Sequence, residues 1–430
     1  MKVEMLNKKN ILSKESIDKI VNKIINIYKN KKIYNALLYN LYSCFLLFSP
    51  ILIALDRFIK ISGTLLTGIP FVLGIVIIIQ QRKKIMKYSI IASLFLMSSI
   101  INQDFINGFE TFKPLIIFLL SLDLCENKEF LNVLKKNFIK FKKEILITLT
   151  IIIGLNLLMI ILPFGYSNID TETWGLDAYM GLYSSPHQAA YRFSALIVFI
   201  VYMYLMNNNN KYLLSILAII TTFLLLKTGA RTPTTIGIFT IIFLLFIKRK
   251  QIFETSKKYI LNYKIKAMII LPLLIIIALY LVLNSAFIQK IINLSTATFD
   301  SGRAILRDAE LNYFIKSDMK NILFGNSLNT IYIINQLAIG AKIWCHNDFM
   351  QILLQFGSIM LIVYLHSCIK FVKNQTKTIK ITETKIIFYI ISALFLFVSF
   401  YNGLFFFPRF TIIIPLLYIM IRDNVSEEKK

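Results

Sequence analysis

Apolar runs long enough to cross a lipid bilayer recur along the chain, and they limit the possible folds more than any other feature. A membrane-spanning helix needs about 20 mostly apolar residues. Hydrophobic residues make up 57% of the sequence and the mean hydropathy is +0.66, which is more apolar surface than a soluble domain could bury. We therefore predict an all-α polytopic membrane protein with about twelve transmembrane helices, at 35–55, 61–79, 88–102, 113–125, 145–164, 190–206, 212–226, 233–247, 267–286, 347–368, 386–402 and 408–421.

The basic residues predict the orientation of these spans. Most of the 48 lysines and arginines fall in the lead, the tail and alternate connections. Cytoplasmic connections carry such an excess, so both termini are predicted to be cytoplasmic. The formal net charge of +25 then reports membrane topology and requires no nucleic-acid partner.

This topology divides the chain into five parts. We predict a cytoplasmic amphipathic lead (1–33), spans 1–9 (34–286), a large extracytoplasmic helical loop (287–346), spans 10–12 (347–421) and a cytoplasmic tail (422–430). Apolar residues at helical spacing from Ile17 to Tyr28 predict a lead helix that lies on the membrane or on the underside of the protein. The loop at 287–346, called the cap loop below, is the longest water-facing segment and the best place for an active site.

A short amphipathic helix is predicted early in the cap loop. Asp300 or Ser301 offers an N-cap, and an apolar stripe follows at Ile305, Leu306, Ala309 and Tyr313. On another face the spacing aligns Arg303, Arg307 and Glu310, so the two guanidinium groups can point at one anion. The alternative is a surface pair of Arg307 and Glu310 beside a solvated Arg303.

His346 is the best-placed histidine, because it stands where the cap loop rejoins the membrane, beside Asn347 and Asp348. A neutral imidazole can accept a proton from a sugar hydroxyl. We expect activity to fall as the pH drops through the ordinary imidazole titration near 6.5. His187 is the rival base, and an interfacial polar side chain is the alternative role for His346.

Two other outer connections carry candidate binding residues. The connection after the fifth span holds Trp174, His187 and Arg192, and aromatic, imidazole and charged groups together suit a sugar, although an interfacial aromatic belt has the same composition. Arg231 lies at a tight turn between spans. It either reaches lipid headgroups or binds a diphosphate with its planar fork.

Metal and nucleotide motifs are absent from the sequence. The four cysteines are scattered without a CxxC pair, and we find no phosphate-binding glycine loop and no DxD carboxylate pair. We therefore expect neither a metal nor another cofactor.

Three segments resemble the O-antigen ligase and polymerase family. They are GLYSSPHQAAY before a span, TGART at a span turn, and SGR followed by FGNS and HNDFMQILLQFG. The last is the most specific, because it places a bounded loop before a span that contains Gly357. The family's usual tryptophan after SGR is replaced here by the stretch from Leu306 to Glu310, and FGNS replaces its usual Gly-x-Gly.

The resemblance implies glycosyl transfer on the outer face of a bacterial cytoplasmic membrane, from a polyprenyl-diphosphate-linked glycan to an acceptor hydroxyl. It implies that Arg231 and Arg303 hold the diphosphate and that His346 is the base. Arg307, His187, Arg192, Asn347 and Trp174 are the further candidates for substrate binding. Membrane lipid, a flippase and a chain-length regulator are the other expected partners.

Three functions fit these residues. A polymerase that extends one lipid-linked chain with another is favoured, because the sequence suggests no other acceptor. A ligase that moves the glycan to a different acceptor is the second. A flippase or transporter is the third, but a flippase needs charged residues that line a mid-membrane cavity, and the predicted spans are nearly free of charge.

Overall fold

The computed structural model describes residues 31–55, 60–167, 178–206, 210–247, 249, 253–254, 257, 276, 280, 282–292, 303–379, 382–403 and 418. Nearly all of the described residues are helical. The predicted tail, Trp174, the predicted N-cap at Asp300 or Ser301, and most of the predicted lead and of the spans predicted at 267–286 and 408–421 lie outside these ranges.

In the described part of the chain, eight long helices precede the cap loop. They are α1 (Lys31–Leu55), α2 (Lys60–Gln80), α3 (Arg82–Asn102), α4 (Phe105–Cys125), α5 (Lys128–Leu158), α6 (Pro186–Met206), α7 (Lys211–Lys227) and α8 (Arg231–Ile247). A 3-10 turn (Pro163–Gly165) and a two-stranded antiparallel ladder of β1 (Tyr166–Ser167) and β2 (Ala178–Tyr179) follow α5, with Tyr166 opposite Tyr179.

Among the described residues, four short helices occupy the cap loop and two long ones follow it. The short helices are α9 (Ala286–Ile292), α10 (Arg303–Lys316), α11 (Met319–Phe324) and α12 (Leu328–Ile339), and the long ones are α13 (Asp348–Thr378) and α14 (Thr382–Tyr401). Most of the described part of the cap loop is therefore helical, whereas its extracytoplasmic location remains a prediction.

Four described helices are long and apolar enough to cross a membrane, at Lys84–Asn102, Phe105–Cys125, Pro186–Leu205 and Asp348–Thr378. The prediction of a helical membrane protein is confirmed at this level. The count of twelve spans and the orientation remain predictions.

Several predicted boundaries differ from the structure, most clearly those on either side of the connection predicted at 126–144. The span predicted at 113–125 begins at Phe105, because Glu110 and Lys113 pair on the helix surface at 2.7 Å and their charges do not interrupt it. The connection predicted at 126–144 is instead the first half of α5. Asn127 starts that helix by accepting a hydrogen bond from the Phe130 backbone N–H at 3.1 Å.

Helix α6 is the centre of the described bundle, and it packs on both α7 and α8. Its side chains from Phe193 to Met203 are almost entirely buried. Gly237 of α8 permits the close packing, because a Cβ there would lie 2.6 Å from Leu225 and 3.2 Å from Ile197. The segment that begins at His187 is thereby held on a rigid helix.

The cap loop is fastened to α13 where that helix breaks. Gly357 has φ 84° and ψ 172° and interrupts the helical ladder. The carbonyl groups at the break accept hydrogen bonds from outside α13: Leu354 from the Asn326 backbone N–H at 2.6 Å, and Gln355 from the Ser98 hydroxyl at 2.9 Å. The FGNS turn is thus part of the packing that shapes α13.

An ion cluster ties α3 to α4 and α13 at the opposite end of these helices. Lys84 lies 2.9 Å from Asp123 and 3.2 Å from Glu126, and Lys87 lies 3.3 Å from Asp123. Asn374 of α13 donates a hydrogen bond to Glu126 at 2.9 Å. The cluster has two lysines and two carboxylates, so its charges balance. Its role is therefore to hold the helices together.

Candidate functional site

A narrow cleft joins the cap loop to the end of α14. Two cap-loop segments, α10 and the strand-like segment before α13, form one side of it, and the end of α14 forms the other. Three predicted site residues, Arg303, Arg307 and His346, line it. The other lining residues are Leu306, Glu310, Phe400 and Tyr401.

The two arginines reach the cleft because they are one helical turn apart on α10. The Arg307 guanidinium carbon lies 5.9 Å from the ring centres of both Phe400 and Tyr401, within the range of a cation–π contact. These rings hold the planar fork of Arg307 beside Arg303.

Glu310 is buried beneath the arginines, with 1% of its surface exposed. The alternative of a surface pair between Arg307 and Glu310 is therefore wrong. The buried side of α10 consists of Leu306 and Glu310, whereas Ile305 of the predicted apolar stripe is 56% exposed. Burial raises the pKa of the Glu310 carboxyl, against the opposing effects of hydrogen bonds with Cys345 and Asn335 and of the Arg307 charge.

His346 is partly buried, with its ring centre 4.9 Å from that of Trp344. Burial lowers its pKa to about 4, and the positive charges of Arg303 and His187 act in the same direction. The expected titration near 6.5 is therefore too high. The imidazole is neutral at pH 7, which is the form that accepts a proton.

Buried hydrogen bonds on both sides of His346 fix its backbone. The Cys345 N–H donates to Gln351 Oε1 at 2.9 Å, and Gln351 Nε2 donates to Gln355 Oε1 at 2.8 Å. Asn347 caps α13, because its side-chain oxygen accepts from the N–H groups of Phe349 and Met350 at 2.9 and 3.1 Å. Asn347 was predicted to bind substrate. It is 3% exposed, and its amide oxygen accepts the hydrogen bonds that cap α13.

The other predicted residues that the structure describes, His187, Arg192 and Arg231, lie on neighbouring helices. His187 is exposed in the first turn of α6, and its charge acts on His346. Arg192 is 2% exposed, donates to Gln188 at 3.1 Å and lies over the Tyr183 ring at 4.5 Å. Arg231 begins α8, which packs against α6 and α14.

Asn402 follows α14 and is 5% exposed, and its position beside the site was not predicted from the sequence. Its amide nitrogen donates to the Tyr191 hydroxyl of α6 at 3.0 Å. An isolated asparagine after an apolar span gave no signal, because its partner is distant in sequence. Phe400 and Tyr401 were missed for the same reason.

An apolar groove of about 630 Å³ lies between α4, α13 and α14. Its wall includes Phe118, Tyr364 and Thr376, and at the end of α14 it reaches Ser399. Ser399 precedes Phe400 of the cleft. The groove and the cleft therefore adjoin at the same end of α14.

Within the described ranges, no group of three or more His, Cys, Asp or Glu side chains is arranged to hold a metal ion. In comparisons with known proteins, no family model, no curated protein and no solved structure matches the chain.

Proposed function

We propose that the chain transfers a glycan from a polyprenyl diphosphate to an acceptor sugar hydroxyl on the outer face of a bacterial cytoplasmic membrane, as a polymerase of lipid-linked repeat units. The observation that carries the proposal is the shared cleft of Arg303, Arg307 and His346. It brings cationic groups suited to a diphosphate next to a neutral base suited to a hydroxyl.

The reaction assigns one role to each side of the cleft. The acceptor oxygen attacks the anomeric carbon and forms the new C–O bond while His346 takes the hydroxyl proton. The bond from the anomeric carbon to the phosphate oxygen breaks, and its electron pair leaves with the diphosphate. The two guanidinium groups stabilise the charge that develops there, and attack opposite the leaving group inverts the anomeric configuration.

The apolar groove supports a lipid-linked donor. A polyprenyl chain needs a long apolar surface that starts beside its diphosphate, and the groove reaches Ser399, next to Phe400 of the cleft. We assign the polyprenyl chain to this groove and the diphosphate to the arginines. Membrane lipid, a flippase that supplies the donor and a chain-length regulator are the proposed partners.

The second candidate is a ligase that uses the same cleft. A neutral base and a cationic cleft can promote transfer to any acceptor hydroxyl, so they do not distinguish a ligase from a polymerase. The flippase is the third. The arginines favour transfer over transport, because they lie in the cap loop at one end of the helices and not along a mid-membrane path.

The test is a reaction in proteoliposomes that contain the full-length protein and a synthetic polyprenyl-diphosphate oligosaccharide. A polymerase releases polyprenyl diphosphate and produces ladders of longer glycans that remain lipid-linked. A ligase releases the same lipid only when a second acceptor is added. Absence of released polyprenyl diphosphate with every acceptor, together with movement of the intact donor across the bilayer, would replace the proposal by transport.

A further inference from the structure

The narrow cleft contains a carboxyl group besides the predicted base. Glu310 lines the cleft together with His346, and the two side chains come from α10 and from the segment before α13. Glu310 is 1% exposed, whereas most glutamates lie at the protein surface. Burial of a polar group lowers stability unless a hydrogen-bond partner compensates for the lost water. The hydrogen-bond partners of this carboxyl group therefore decide whether it is a structural group.

Two side chains that line the cleft each keep a buried polar atom without a partner. In the described part of the chain, Oε1 of Glu310 and Nδ1 of His346 make no direct hydrogen bond of normal geometry. An unpaired buried donor or acceptor retains the full cost of its desolvation, so such atoms are rare in folded proteins. Two of them on residues of one cleft indicate that a ligand group completes the hydrogen bonding there.

The size of the cleft limits which group can serve both atoms. Its free volume is about 10 Å³, close to the space that one water molecule needs. The group that enters is therefore about as large as a single oxygen atom with its hydrogen. A sugar hydroxyl has this size, with one O–H donor and two lone pairs. It can donate to the neutral imidazole and accept from a protonated carboxyl group at the same time.

The protonation of Glu310 favours a hydroxyl group over a phosphate group as the ligand. Burial raises the pKa of the carboxyl group, and a neutral carboxyl group donates one O–H. An ionised phosphate oxygen could accept this hydrogen bond, but it has no proton to donate to Nδ1 of His346. A hydroxyl group meets both needs, so the polar atoms of the cleft match an alcohol.

We propose that Glu310 is a further substrate-binding residue, and that its carboxyl group and Nδ1 of His346 together hold the acceptor hydroxyl that attacks the donor. This inference rests on the proposed function. One lone pair of the hydroxyl oxygen accepts from Glu310, and the second lone pair is left for the anomeric carbon. Nδ1 takes the hydroxyl proton as the new C–O bond forms. Arg303 and Arg307, which line the same cleft, stay with the departing diphosphate.

The direct test is binding of an acceptor that cannot act as a donor. The probe is the methyl glycoside of the oligosaccharide used in the proteoliposome reaction, because it has no diphosphate to leave. Calorimetry measures its affinity for the full-length protein in nanodiscs. Glu310→Met keeps the approximate size of the side chain and removes its oxygens, so we expect about tenfold weaker binding. Glu310→Gln still offers an N–H donor and should bind within about threefold of the wild type.

Thermal stability separates a binding role from a structural one. Removal of a buried, unpaired polar atom relieves its desolvation cost, so Glu310→Met should melt at the wild-type temperature or above it. A structural carboxyl group would give the opposite pattern, with a lower melting temperature and unchanged glycoside binding. Tyr42→Phe is the matched control, because the Tyr42 hydroxyl of α1 is likewise buried without a hydrogen bond among the described residues. This variant should bind the glycoside as the wild type does.

Carbon NMR reads the same contact in the wild type. The protein is labelled with ¹³C-glutamate, and the carboxyl signal of Glu310 is assigned by its loss in Glu310→Gln. This signal should shift when the methyl glycoside is added. Among analogues that each lack one hydroxyl group, one should bind the wild type about tenfold more weakly and leave the signal in place, because the missing hydroxyl is the one that Glu310 contacts.

Unchanged glycoside affinity in Glu310→Met would overturn the inference, and so would the absence of glycoside binding to the wild type. A carboxyl signal that does not respond to the glycoside would overturn it even if the methionine variant fails to fold. These measurements are independent of the release of polyprenyl diphosphate, which tests the proposed function. Absence of that release, with glycoside binding that depends on Glu310, would remove the transfer reaction and keep the hydroxyl site.

Discussion

Gly325 packs against the backbone beside Gly357, and Gly357 packs against the backbone beside Gly325. A Cβ at Gly325 would overlap the Gln355 carbonyl, and a Cβ at Gly357 would overlap the carbonyl of Leu323. Both glycines have positive φ, +81° and +84°, with extended ψ. The turn between α11 and α12 therefore fits into the break of α13, and this contact sets the direction of the half-helix that begins after His346.

Substitution of either glycine should destabilise the protein. Their backbone angles lie in a region that is open almost only to glycine, at a cost of about 1–3 kcal/mol for other residues, and the overlap adds to this cost. We expect a lower melting temperature for Gly325→Ala and Gly357→Ala in detergent. Gly340→Ala is the control, because Gly340 has φ +76° with open space around it. Equal losses at all three positions would show that the overlap contributes nothing.

Activity should depend on pH through a low histidine pKa. Burial and the neighbouring positive charges lower the pKa of His346 to about 4, so the neutral form dominates at all higher pH values. Turnover should be flat from about pH 5.5 to 8 and fall only as the pH approaches 4. His346→Ala should lose about 10²–10⁴-fold in turnover with little change in donor affinity. A wild-type decline centred near pH 6.5 would contradict the burial of the imidazole.

The Glu310 carboxyl should make stability depend on pH. Its pKa is raised in the folded protein by burial, so folding favours the protonated form. The stabilisation is complete below the unfolded pKa of about 4.3 and is lost as the pH rises through the higher folded value. Glu310→Gln, which cannot ionise, should melt higher relative to the wild type at pH 8 than at pH 4.

The control for Glu310 is Glu110→Gln, because the Glu110 side chain is 65% exposed in its pair with Lys113. Its melting temperature relative to the wild type should change little between the two pH values. An equal pH response in the two variants would argue that burial of Glu310 is not the cause.

The diphosphate contact should require the planar fork of an arginine. Lysine keeps the charge but loses the bidentate geometry, so Arg303→Lys should lower kcat/KM for the lipid-linked donor, and Arg303→Ala should lower it further. Arg249→Lys is the control, because Arg249 is exposed and stacks on Phe246 at 4.2 Å. Full activity of Arg303→Ala at normal expression would remove this residue from the donor site.

The ion cluster should contribute to stability without affecting the chemistry. Asp123→Asn leaves Lys84 and Lys87 without one of their carboxylate partners and weakens the hydrogen bond from the Tyr88 hydroxyl, now 2.7 Å. Removing a partner from such a group costs about 1–3 kcal/mol. We expect a lower melting temperature and unchanged donor KM. A changed donor KM at unchanged stability would assign this cluster to the substrate path.

Local composition was sufficient to predict several of the long helices. A run of about 20 apolar residues is predicted to be a span whatever surrounds it, which is why the spans at 35–55, 61–79 and 212–226 agree closely with α1, α2 and α7. Helical spacing likewise predicted that Arg303 and Arg307 share a face, since one turn separates them. The start of the span predicted at Lys113 was wrong because of the charges there. The sequence does not show that Glu110 neutralises Lys113, so the helix was predicted to begin too late.

Only the tertiary structure decided which segments meet beside His346. Asn402 and Tyr191 are separated from each other by 211 positions in the sequence, and no local pattern links them. The same holds for Glu310, whose spacing fits a surface pair equally well until the packing of α10 against α12 and α13 buries it. Periodicity determines which side chains share one helix face, whereas contacts between distant segments determine which face is buried. Burial in turn lowers the pKa of His346 and raises that of Glu310.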